Sequence, residues 1–154
     1  MLIFHLTFFV ALILSLIMLP LGYIAPEWLL LVNIYWAIAL PSNQKLFIAF
    51  LSGFFVDIVL VQPLGITSLS YVLLIYIILY LYNSLRYMTI IQQMVVLFVL
   101  LIIKQHFFIW TCYVFSFDAN YSALIISSLI TGSLWPITYF LLRFTRRKFQ
   151  VNTD

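Results

Sequence analysis

"SGFFVDIVLVQPLG", residues 52–65, places one carboxylate, Asp57, inside a run that otherwise reads as membrane-buried. The flanking chain is of the same kind. Across 154 residues, 66% are hydrophobic and only 7% are charged, with a mean hydropathy of +1.21. A soluble domain carries roughly 25% charged and about 45–50% apolar residues. A soluble core of this size has no room for so much apolar surface. The composition therefore predicts an all-α polytopic membrane protein. The single cysteine, Cys112, excludes an internal disulfide and any multi-cysteine metal site.

Working outward from Asp57, apolar runs separated by short polar breaks predict about six transmembrane helices, each near the usual length of roughly 20 residues. They cover 3–19, 28–40, 46–61, 66–82, 90–115 and 121–142. The first resembles a signal peptide in length. It lacks a basic leading segment and a small-residue cleavage site, so it is expected to remain as the first helix. The second is short and lies between Pro26 and Pro41. The expected organisation is a six-helix transmembrane domain, 1–142, and a short basic tail, 143–154.

The basic residues orient this array. Lys45, Arg86 and the group Arg143, Arg146, Arg147 and Lys148 fall after the second, fourth and sixth spans. The alternate connections hold no Lys or Arg, only Glu27 and Asp118. An excess of Lys and Arg marks the cytoplasmic side. Both termini are thus expected in the cytoplasm, with these residues as topology anchors. The basic tail could also draw anionic membrane lipids.

A carboxylate at the centre of a membrane helix costs about 2.5–3.5 kcal/mol on insertion scales, so Asp57 should face protein or water. Ala49, Gly53 and Asp57 recur every four residues and share one face of the third span. Small residues at that spacing let another helix approach closely. The face could serve packing within the bundle, a partner's helix or a conduction path. Ser128 and Gly132 make a second such face on the sixth span, followed by a kink at Pro136. Lys104 is a candidate ion-pair partner for Asp57. The two lie about 22 and 17 Å into spans running in the same direction. The alternative is a lysine that snorkels to the interface alone.

Catalytic readings find little support. No second carboxylate joins Asp57 within the spans, and His5 and His106 have no companions at metal-ligand spacing. Nucleophile elbows, glycine-rich phosphate loops and paired acidic metal motifs are missing. A lipoprotein signal peptidase has similar length, but its paired aspartates have no counterpart. The expectation is a non-enzyme with no cofactor and no bound nucleic acid.

Four segments carry a family resemblance: "PEWLLLVNIYWAIALP" (26–41), "GFFVDIVLVQPLG" (53–65), "IQQMVVLFVLLI" (91–102) and "GSLWPITYFLLR" (132–143). Pro26 and Trp28 open the second span, and Tyr35, Trp36, Leu40 and Pro41 close it. Gly53 and Asp57 follow, then Leu64 and Gly65 at the next turn, then Leu134, Trp135 and Pro136. In order and spacing this set resembles the MreD family of rod shape-determining proteins, from about Pro26 to Arg143. Lys104 departs from the pattern, where an apolar or acidic residue is expected. The resemblance implies a multi-pass scaffold of the bacterial inner membrane, part of the cell-elongation machinery. It implies MreC as a partner, and with it MreB filaments and the glycan polymerase and transpeptidase that build peptidoglycan. The family's bundle is also similar to the substrate-binding subunits of energy-coupling-factor transporters. That similarity supplies an alternative, the membrane subunit of a vitamin-type transporter.

Overall fold

The computed structural model describes residues 2–116 and 120–148. Asp118 and the residues after Lys148, both part of the sequence reading, lie outside them. The described chain is helical throughout: α1 (Leu2–Ile17), a 3-10 helix over Leu19–Ile24, α2 (Trp28–Ala39), α3 (Gln44–Val59), α4 (Ile66–Tyr87), α5 (Ile90–Val114), α6 (Tyr121–Ser133) and α7 (Trp135–Lys148). α4 and α5 are each long and apolar enough to cross a membrane, and the bent pair α6–α7 makes up to a third such span.

α2 is the centre of the bundle. Its residues Leu29 to Ile38 are all buried, as expected of a helix that is apolar all round. It packs against α1, α3, α4 and α7. Polar side chains fix it there. Trp36 Nε1 donates to Thr7 Oγ1 on α1 at 3.0 Å. Asn33 Nδ2 donates to Ser52 Oγ on α3 at 2.8 Å, and to Leu29 O within its own helix. At 12 residues, α2 rises only about 18 Å, against about 30 Å of hydrocarbon. The 3-10 segment before α2 folds against α6. Gly22, with φ 55° and ψ −129°, makes the sharp turn inside that segment, a conformation that favours glycine.

α6 and α7 meet at Leu134 with a bend of 43°. Pro136 is the second residue of α7, and a proline can neither donate to the preceding turn nor sit inside a helix without clash. The basic segment is not a separate tail as far as it is described. α7 runs on through Arg143, Arg146, Arg147 and Lys148, because these residues are good helix formers and cations suit a helix C-terminus.

Candidate functional site: a polar junction within the bundle

Asp57 is fully buried, and its position near the end of α3 explains its bonds. The chain leaves α3, turns through 60–65 and enters α4 at Ile66. The first amides of any helix lack partners within the helix. Asp57 supplies them. Its Oδ2 accepts from the Gly65 amide at 2.8 Å and its Oδ1 from the Thr67 amide at 3.0 Å. The Ser68 hydroxyl lies 3.4 Å from Oδ2. The helix dipole adds positive potential at the same place. Gln62 extends the knot, accepting from Thr67 Oγ1 at 3.1 Å. Gly65, at φ 103°, gives the backbone its left-handed turn into α4.

Gly53 lies one turn before Asp57 and meets the same helix. A Cβ added there would stand 2.4 Å from Ser68 Cα and 2.7 Å from Ser68 N. Gly53 and Asp57 on this face therefore meet α4 of the same chain, and Ala49, Gly53 and Asp57 are all buried. On the second small-residue face, Gly132 meets α5, while Ser128 lines a cavity of about 240 Å³ with Gln105, His106 and Tyr121. A Cβ on Gly132 would contact Phe98 at 3.4 Å on α5. Ser128 is buried and donates to Leu124 O.

The Asp57–Lys104 pair expected from helix depth does not form. Lys104 is 3% exposed and its ammonium is paired with Glu27. It also donates to Gln105 Oε1 at 3.1 Å and lies 5.5 Å from the centre of the Tyr71 ring and 5.9 Å from that of Phe108. Two causes replace one pair with another. Asp57 is already committed to the start of α4, whereas the shortness of α2 lowers Glu27 from the expected outer connection into the bundle. Glu27 is held in place through its backbone, whose amide donates to Thr131 Oγ1 at 3.1 Å. Ser127 Oγ donates to Ala25 O at 2.8 Å from the same face of α6. Sequence reasoning missed Glu27. The signal was a buried lysine in a chain with only four acidic residues.

Beside the pair is a cavity of about 90 Å³, lined by Glu27, Lys104, Gln105, Gln62, Thr67 and Tyr71 together with a larger number of apolar side chains. No group of three His, Cys, Asp or Glu suited to a metal ion occurs among the described residues. His106 engages a neighbouring tyrosine, with Nε2 3.2 Å from Tyr121 Oη, and Cys112 is buried. The topology residues sit at helix ends: Lys45 in the first turn of α3 with its ammonium 5.9 Å from the Trp36 ring, Arg86 in the last turn of α4, and the rest along α7.

An apolar helical bundle whose few buried polar groups bind one another defines a helical membrane protein. Comparison with known proteins is more particular. The family described as rod shape-determining protein MreD matches residues 1–145. The rod shape-determining protein MreD of Haemophilus influenzae is 35% identical over 153 residues, covering 94% of this chain and 91% of that protein. The chain belongs to the MreD family of rod shape-determining proteins. No solved structure matches it.

Proposed function

We propose that this chain is a non-catalytic, multi-pass scaffold of the bacterial inner membrane that binds MreC and helps couple MreB filaments to peptidoglycan synthesis. Family membership over residues 1–145 is the observation that carries this reading. In the proposed topology α1, the 19–39 segment, α3, α4, α5 and the α6–α7 pair make six passages, with the termini and the basic helix ends in the cytoplasm. Gly53 and Asp57 meet α4 of the same chain, and Lys104 pairs with Glu27. A partner's helix would then meet the outer surface of the bundle, such as the α3 stripe of Phe47, Phe50, Leu51, Phe54 and Ile58, all exposed.

The test is copurification of MreC with the tagged protein from membranes, combined with depletion in a rod-shaped host. Retention of MreC and rounding of depleted cells are the expected results. Normal rods after depletion, with no MreC recovered, would refute the reading. The cavity beside Glu27 and Lys104 favours a second reading, the solute-binding subunit of a vitamin-type transporter. Saturable binding of such a solute to the purified protein would establish it.

A further inference from the structure

A second cavity opens where α2 and α5 meet the basic ends of α4 and α7. It holds about 250 Å³ and is lined by Arg86, Arg143 and Arg146, with Tyr35, Tyr139 and Gln93 among its other walls. The arginines arrive from two helices, Arg86 from the last turn of α4 and the others one turn apart on α7. Neither described carboxylate balances them, since Glu27 is bound to Lys104 and Asp57 to the start of α4. Arg143 is steered by Tyr139, whose hydroxyl lies 3.4 Å from Nη1 and whose ring centre lies 5.8 Å from the guanidinium carbon. Gln93 is fixed on both sides, donating to Leu85 O at 2.8 Å and accepting from Trp135 Nε1 at 3.3 Å. Arg143 and Gln93 are therefore held before any ligand arrives.

Three guanidinium groups around one cavity, with no carboxylate among the described residues that line it, repel one another unless an anion joins them. The planar fork of arginine matches the paired oxygens of phosphate, and tyrosine hydroxyls can donate to the same oxygens. Basic pockets between membrane helices on the cytoplasmic side recognise anionic lipid headgroups. We infer that this cavity is a binding site for a phosphate-bearing anion, either the headgroup of an anionic phospholipid or a soluble phosphate compound. The site differs from general attraction of a basic helix end to the membrane. Arg147 and Lys148 belong to the same helix end and are exposed, but do not line the cavity.

That difference supplies the test. The full chain is purified in neutral detergent, and bound phosphatidylglycerol is measured by native mass spectrometry against phosphatidylcholine. Thermal shift with inorganic phosphate and pyrophosphate is measured in parallel. The variants are Arg143→Gln with Arg146→Gln, Arg86→Gln alone, and Arg147→Gln with Lys148→Gln as the tail control. Arg86 is exposed, so its removal leaves the bundle intact should the double variant fail to fold. Each pocket arginine is expected to account for roughly tenfold in affinity, as for hydrogen bonds to charged groups. Each tail charge is expected to account for no more than about fivefold, vanishing as salt is raised. Selective phosphatidylglycerol retention that falls in the pocket variants and survives in the tail control supports the site with a lipid ligand. Stabilisation by phosphate or pyrophosphate alone, lost in the same variants, supports it with a soluble one. Equal losses in pocket and tail variants, or no binding of either ligand, overturn the inference.

Discussion

Asp57 and Lys104 are both ionisable residues buried in an apolar bundle, but each solves its burial differently. Asp57 replaces water for the opening amides of a helix. Asp57→Ala leaves the Gly65 and Thr67 amides buried without an acceptor, at about 1–3 kcal/mol each. Thermal unfolding in detergent should show a clear loss for Asp57→Ala and a smaller one for Asp57→Asn, which keeps one acceptor oxygen. Lys104 relies on a single carboxylate. Removing one member of a buried pair strands the other, at about 3–5 kcal/mol, whereas replacing both with residues of similar volume is often neutral. Glu27→Gln and Lys104→Met should thus each destabilise strongly, and the double variant should recover much of the loss. Additive losses in that double-mutant cycle would show that the two side chains act separately. In the sequence, Asp57 was legible as a buried polar group on a helix face, because a lone acid in an apolar run admits few readings. Its partners were not, since they are backbone amides whose availability depends on where the next helix begins. Glu27 was hidden for a related reason. Hydropathy assigns a charged residue next to a proline to a connection, and says nothing of how that connection packs.

At the level of elements, hydropathy located α1, α2, α3 and α5 to within two residues at each end, since apolar runs and proline breaks report directly on burial, but it did not foresee the 3-10 helix over Leu19–Ile24. It read α6 and α7 as one span with a kink, and the structure divides them at Leu134. It also ended the fourth span at Tyr82, while α4 continues to Tyr87 because no breaker intervenes. What hydropathy cannot report is which faces meet. The small-residue stripe on α3 announced a close neighbour, and geometry identifies that neighbour as α4. Gly53→Ala forces a Cβ against the Ser68 backbone, which cannot swing aside as a side chain would. A loss of about 1–3 kcal/mol is expected, the usual range for overpacking. Gly132→Ala provides the contrast. Its new Cβ would meet only the Phe98 and Leu101 side chains at 3.4 Å or more, so its unfolding temperature should stay near that of the parent. The far end of α4 depends on α5, where Gln93 binds Leu85 O and the Trp135 indole. Gln93→Leu should cost about 1–3 kcal/mol. In a Trp135→Phe background the cost should shrink, because the indole donor is no longer left behind.

For the whole molecule, the proposed topology places the turn after α3 and the turn after α4 on opposite sides of the membrane. Val61 is 84% exposed and Tyr87 is 89% exposed, so a cysteine at either position is open to reagent, while the native Cys112 is buried. A membrane-impermeant maleimide should label Val61→Cys in intact spheroplasts and Tyr87→Cys only after lysis. The reverse pattern would invert the orientation drawn from the basic residues. The clamps on α4 also bear on how the chain assembles during synthesis. Asp57 and Gly65 are eight residues apart, so that contact can close as soon as the α3–α4 hairpin leaves the ribosome, and contacts so local form early. Glu27 and Lys104 are separated by 77 residues. An emerging chain must hold the glutamate in the bundle through three further helices before its lysine arrives. A chain stalled before α5 would carry an unanswered carboxylate beside its most deeply buried helix, so the ion pair is a late contact of assembly.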